Sequence, residues 1–199
     1  MIVPIARKGR VVVVSGPSGV GKTSVMRRVY ARCPIPLKPS VSATTRSPRP
    51  GERDGVDYHF LSKEEFERLR TTGQFIECFE VFGRGCWYGT PQSEVTPGLE
   101  AGKWVVLEID VHGAQAVVGQ FADAVTIFLR PRSREELERR LRGRDTETEE
   151  AIQRRLAQAD QELAMAGHYK YQVINDDLDQ AVQEICRILA QEWEKSHNA

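Results

Sequence analysis

The stretch Val11 to Thr23 reads VVVVSGPSGVGKT. Its first half is a continuous β-branched run, the pattern of a strand covered on both faces in a parallel sheet. Its second half, Gly16-Pro17-Ser18-Gly19-Val20-Gly21-Lys22-Thr23, matches GxxxxGK[ST] in full. Glycines let the backbone turn its N–H groups inward around a polyphosphate, the lysine brings positive charge to the outer phosphates, and the Thr23 hydroxyl is a ligand for Mg²⁺. The N-terminus of the helix predicted to follow adds a field that favours anions. A chance glycine-rich turn is the competing reading, but strand, loop and helix come in the order the motif requires. Gly16 to Thr23 thus predicts a nucleoside triphosphate site.

Composition limits what surrounds it. The 199 residues suffice for one compact unit carrying an inserted subdomain. Hydrophobic content of 40% and charged content of 28% are ordinary for a soluble globular chain. Lys plus Arg and Asp plus Glu each total 28, so no global charge points to nucleic acid or a membrane surface. Cys33, Cys78, Cys86 and Cys186 are spaced too widely for a CxxC pair, and His59, His112, His168 and His197 form no HxxxH. Reduced thiols without a role are expected. The opening MIVPIARKGRVVVV lacks a signal-peptide h-region and no run suits a membrane span, which predicts a cytoplasmic location.

Helix one is predicted over about Thr23 to Arg32, ended by the prolines of Cys33-Pro34-Ile35-Pro36. From Leu37 to about Pro97 the chain becomes rich in Gly, Pro, Ser, Thr and aromatics, with one helix announced by the capping box Ser62-Lys-Glu-Glu65. This reads as an insertion with its own small sheet. Trp104 to Ile109 and Val125 to Leu129 are further buried-strand candidates, and their alternation with helices predicts a doubly wound parallel sheet. Boxes at Ser133-Arg-Glu-Glu136 and Thr146-Glu-Thr-Glu149 predict helices of about ten and twenty residues, flanking a basic turn of Arg139, Arg140, Arg142 and Arg144. A strand over Gln172 to Asn175 and an amphipathic helix over about Asp177 to Glu194 close the chain.

The phosphate loop leaves the acceptor open. Thr44-Thr45-Arg46-Ser-Pro-Arg49-Pro-Gly-Glu52-Arg-Asp-Gly55-Val-Asp-Tyr58-His-Phe60 places two arginines three apart before a carboxylate, a glycine and a tyrosine. Arginine forks grip phosphate oxygens in pairs and a tyrosine hydroxyl adds a neutral donor, so a second phosphate site is implied. A solvated, charged hairpin is the alternative.

This segment resembles the guanylate kinase signature T-[ST]-R-x₂-[KR]-x₂-[DE]-x₂-G-x₂-Y-x-[FY], matched at every fixed position. With Gly16 to Thr23, Phe75-Ile-Glu77, Trp87-Tyr88-Gly89-Thr90, Leu107-Glu-Ile-Asp110, Gly143-Arg144-Asp-Thr-Glu-Thr-Glu and Asn175-Asp-Asp, the resemblance extends from about Arg10 to Leu189. It implies an α/β P-loop NTPase fold with a doubly wound parallel sheet core (1–37, 98–130 and 160–199), a GMP-binding subdomain (38–97) and a helical lid (131–159). It implies that Arg46 and Arg49, with Glu52 in the same motif, hold the GMP phosphate together with Tyr58 and Tyr88. It implies too that guanine is read by Ser42, Glu77 and Thr90, with an acidic residue near Glu108 or Asp110. Glu77 by itself would otherwise read as an exposed strand charge.

The implied reaction is transfer of the γ-phosphoryl group of Mg-ATP to GMP, and to dGMP, in purine metabolism. Lys22 and Mg²⁺ would neutralise the donor, and Arg46 and Arg49 would reduce repulsion between the two anions. Arg140 and Arg144 match lid positions that reach the triphosphate, joined by Arg155, while Arg139 and Arg142 fit a solvated helix face as well. Asn175 resembles a family asparagine near the donor nucleoside, or else caps the helix that follows. Two places depart from the family: Gly83-Arg-Gly-Cys-Trp87 is longer than the usual turn, and Glu108 stands where aspartate is common. Alternatives are a non-catalytic guanylate-kinase-like interaction module and a P-loop kinase of a phosphorylated sugar; the intact loop and the trio Ser42, Glu77 and Thr90 disfavour them. The expected partners are ATP and GMP, without nucleic acid or membrane, in a monomer or small homo-oligomer.

Overall fold

A computed structural model describes residues 9–81, 85–143 and 148–198. In chain order the elements are β1 (Arg10–Ser15), α1 (Lys22–Arg32), β2 (Leu37–Pro39), β3 (Ala43–Thr44), β4 (His59–Phe60), α2 (Lys63–Thr71), β5 (Phe75–Val81), β6 (Cys86–Pro91), α3 (Gln92–Glu100), β7 (Trp104–Glu108), α4 (Val111–Gln120), β8 (Val125–Arg130), α5 (Arg134–Arg142), α6 (Glu149–Ala164), β9 (Tyr171–Ile174) and α7 (Leu178–Asn198). The larger sheet has the order β2-β7-β1-β8-β9, with β2 and β7 parallel and β8 and β9 parallel. Val11 to Val14 are at most 1% exposed, as a strand covered on both faces requires. The expected doubly wound α/β core is present.

The described residues divide into two compact units: 9–12, 37–81, 85–107 and 112–124 make one, and 13–36, 108–111, 125–143 and 148–198 make the other. The first holds a four-stranded sheet of order β4-β3-β6-β5, in which β3 and β5 both run antiparallel to β6. Ser62 caps α2 as its box predicts, accepting from Glu65 N–H at 3.1 Å. Two elements here have no counterpart in the sequence reading. β2 is three residues long and ends on Pro39, too short to show a period. α3 runs through Pro97, which the reading placed at the edge of the insertion; the ring deprives Ser93 of a helical partner, a local cost the helix absorbs.

In the second unit α5 and α6 pack on each other through Leu137, Leu141, Ile152, Leu156 and Ala159. Ser133 caps α5 as predicted, accepting from Glu136 N–H at 3.3 Å. α6 is 16 residues long and is capped by Thr148, whose hydroxyl accepts from Ala151 N–H at 3.4 Å; Thr146, expected to open that helix, lies outside the described residues.

Candidate functional site

The phosphate loop leaves β1 through Gly16 and enters α1 through Gly21. Gly21 has φ +94°, and a Cβ there would lie 2.8 Å from Asn175 Nδ2. A side chain is excluded on both counts. Asn175, 6% exposed, donates its amide to Val20 O at 2.7 Å, fastening the end of the loop to the end of β9. The alternative capping role falls to Asp177, whose Oδ1 accepts from Gln180 N–H at 2.8 Å. Arg140 Nη1 and Nη2 donate to Val20 O and Asn175 O at 3.3 and 2.8 Å, and its Nε to Glu136 at 2.8 Å.

Lys22 Nζ donates to Gly16 O at 2.5 Å and to Pro17 O at 3.5 Å, folded over the loop. Burial pulls its ammonium below the ordinary lysine range, opposed by the charges of Glu162, Glu108 and Asp110. Arg155 Nη2 donates to Ser18 Oγ at 2.7 Å, and Ser18 N–H donates to Glu162 Oε2 at 3.3 Å. Glu108 accepts from Tyr30 OH at 3.1 Å; burial raises its carboxyl, countered by Tyr30 and Lys22. Thr23 is exposed in the first turn of α1. Its hydroxyl is the hard oxygen donor that Mg²⁺ accepts, and a single protein oxygen suits an ion whose other ligands are waters and substrate phosphates. No group of three or more His, Cys, Asp or Glu able to hold a metal occurs among the described residues. Arg144 lies outside the described residues.

The second cluster is built on β3, β6 and the turn between β3 and β4. Arg46 forks onto Glu52, Nη1 to Oε2 at 2.9 Å and Nη2 to Oε1 at 3.0 Å, and its Nε donates to Tyr88 OH at 3.0 Å. Its guanidinium lies 5.5 Å from the centroid of the Tyr58 ring, and the Tyr58 and Tyr88 rings meet edge-on at 5.8 Å. The fork holds the Glu52 carboxyl below its usual range. Arg49 joins through its backbone N–H, 2.7 Å from Glu52 Oε2, while its side chain is exposed. Ser42 sits just before β3, and its carbonyl accepts from His59 N–H at 2.9 Å.

Glu77 faces Thr90 across the β5–β6 ladder, and Thr90 Oγ1 donates to Glu77 Oε1 at 2.6 Å. Glu77 is 8% exposed and Thr90 fully buried. The ladder shifts register between Phe75 and Glu77. Such bulges re-aim a side chain. Sequence reasoning missed Glu162 and Tyr30; the signal for Glu162 was its spacing of seven from Arg155 on one predicted helix, which puts both on the same face.

The family model for guanylate kinase matches residues 8–192. Among curated proteins, a guanylate kinase of Rhodopirellula baltica is 55% identical over 185 residues, covering 92% of this chain and 88% of its own. One of Rubrobacter xylanophilus is 50% identical over 183 residues, covering 92% and 94%. Among solved structures, guanylate kinase from Anaplasma phagocytophilum superposes with a TM-score of 0.74 at 33% identity, covering 93% of this chain and 86% of that one.

Proposed function

The chain belongs to the guanylate kinase family, and from that premise we propose how its own residues perform the reaction. The enzyme is an ATP:GMP phosphotransferase, a nucleoside monophosphate kinase that converts ATP and GMP to ADP and GDP. A phosphate oxygen of GMP attacks the γ-phosphorus of ATP and the bond to the β-phosphate breaks. The attacking oxygen is already ionised, so no general base is required, and the work is alignment and charge neutralisation.

In our reading the N–H groups of Gly16 to Thr23 hold the donor phosphates, with Lys22 turning from its loop carbonyls onto them. Thr23 is the residue that would hold Mg²⁺ arriving with ATP, and the ion would supply further neutralisation of the phosphates. Arg140, Arg144 and Arg155 close on the donor from residues 131–159, assigned as the lid, and exclude water that would otherwise hydrolyse ATP. Asn175 acts by tethering Val20. Residues 38–97 are assigned to GMP and the remainder to the core. Arg46, Arg49, Tyr58 and Tyr88 take the GMP phosphate, the Arg46 fork passing from Glu52 to phosphate. Ser42, Glu77 and Thr90 read guanine; Glu108 and Asp110 are assigned to balancing Lys22 rather than to the base.

The observation that carries the choice of GMP is the buried Glu77–Thr90 pair. A carboxylate only accepts, matching the N1–H and exocyclic amine of guanine, whereas adenine N1 is itself an acceptor. No described helix is long and apolar enough to cross a membrane; a cytoplasmic site of action and a monomer or small homo-oligomer complete the proposal. ADP formation from Mg-ATP, with GMP, AMP, CMP, UMP and ribose 1,5-bisphosphate offered separately, tests it. Turnover with GMP alone is expected; equal turnover with AMP would refute the base assignment.

A further inference from the structure

Helix α6 sends two side chains to one residue of the phosphate loop. Arg155 and Glu162, two turns apart on one face, both end on Ser18: Arg155 on its hydroxyl at 2.7 Å, Glu162 on its backbone N–H at 3.3 Å. Gln158, on the turn between them, donates to the other Glu162 oxygen at 2.6 Å and fixes the rotamer. Glu162 is 7% exposed, while Asp160 and Gln161 beside it face solvent. Burying a carboxylate is costly unless donors and a counter-charge receive it. Burial raises the Glu162 carboxyl, helped by the charge of Asp110; the Gln158 amide, the Lys22 charge and the Ser18 N–H of the phosphate loop oppose that rise. A carboxylate of the protein itself thus takes one N–H of the loop that anions are meant to enter.

We propose that Glu162 is the internal occupant of the phosphate loop, holding Ser18 N–H and balancing Lys22 until the triphosphate of ATP displaces it. This rests on the reading of Gly16 to Thr23 as the donor site. Donor binding is then an exchange of one anion for another, and the observed affinity is the loop's own affinity reduced by the cost of expelling the carboxylate. Glu162 is a positioning residue: it shapes the resting loop and sets the ease of ATP entry and ADP release, without touching the reacting atoms.

The test is titration of the full chain with ATP, and separately with inorganic tripolyphosphate, in the absence of GMP. Glu162→Gln keeps the side-chain shape and an acceptor for Ser18 but removes the charge that competes with phosphate. It is expected to bind both probes about fivefold to tenfold more tightly, the size of one exchanged hydrogen bond. KM for ATP should fall while KM for GMP stays put. Glu162→Asp withdraws the charge by one methylene and is expected to fall between, which keeps the test open if the amide variant folds poorly. Unchanged or weaker binding of both probes in a variant with the parent's melting temperature would overturn the proposal, as would tightening for GMP alone. Failure of the donor-site reading looks different: the parent would then bind neither probe, or Lys22→Ala would bind both as the parent does.

Discussion

Replacing Glu77 by Gln changes one atom of the side chain and inverts its hydrogen-bonding sense on one side. Thr90 Oγ1 already donates to Oε1 at 2.6 Å, so the new amide keeps its carbonyl toward Thr90 and turns its N–H₂ toward the ligand. Guanine presents donors there. One charge-assisted hydrogen bond is lost, about 1.5–3 kcal/mol, and a donor is left facing a donor in a site shielded from water, roughly 1–3 kcal/mol more. Together these correspond to a fall of about 10² to 10⁴ in kcat/KM for GMP. AMP moves the other way, because its N1 accepts from the amide, so the GMP to AMP preference narrows by more than the GMP loss alone. The assay is steady-state ADP release at saturating Mg-ATP with each acceptor, with KM for ATP as an internal control expected to hold. A GMP kcat/KM within about threefold of the parent would show that Glu77 does not face the base, and the assignment of Thr90 would fall with it.

Three further outcomes are expected. Lys22→Ala should lower turnover by at least about 10²–10³-fold, the usual loss when a donor to developing charge is removed, measured at saturating ATP and GMP. Arg46→Lys keeps the charge but not the fork that now spans Glu52 at 2.9 and 3.0 Å; KM for GMP should rise about tenfold or more, with KM for ATP unmoved. Glu192, at 1% exposure, accepts from Lys170 at 2.8 Å, Tyr171 at 2.8 Å and Lys195 at 2.9 Å. Burial pushes its carboxyl up, but these bonds outweigh it and hold the group at about 2. A folded-state value below the unfolded value of roughly 4.3 gives stability that is complete above that pH and is lost as pH falls toward about 2. Glu192→Gln should therefore lower Tm by about 4–8 °C at pH 7, and the gap to the parent should close across that acid window.

Where a signal was local and periodic, the chain could be read directly. β1 and the start of α1 follow from four valines and a glycine loop, and Ser62 and Ser133 cap the helices their boxes announce. Elements decided by tertiary context were not legible. β2 is fixed by pairing with β7, and α3 tolerates Pro97 because Val95 and Gly98 are buried around it. In the site, motif residues came together where one small sheet carries them: Arg46 with Tyr88, and Glu77 with Thr90. The motif did not say that Arg46 is gripped by Glu52, nor that Asn175 binds Val20. Those bonds join residues whose pairing depends on loop paths, and Glu162 meets Ser18 across 144 positions of sequence.

In the proposed assignment, strand β6 carries both halves of acceptor recognition on one side of its pleat. Tyr88 and Thr90 are two positions apart, hence on the same face and about 7 Å from each other along the strand. Tyr88 reaches the arginine assigned to phosphate and Thr90 the carboxylate assigned to the base. Under that assignment the strand would work as a ruler: its fixed repeat would set the separation between the groups that meet the two ends of the acceptor nucleotide. Substitution can vary the side chains on that ruler by degrees, but it cannot change the spacing by small steps. Inserting or deleting a single residue at Gly89 would turn one reader to the opposite face, and Gly89 itself has Cys78 Cβ waiting 2.8 Å from where a side chain would begin. Length discrimination is in this sense digital, whereas base discrimination remains open to gradual tuning.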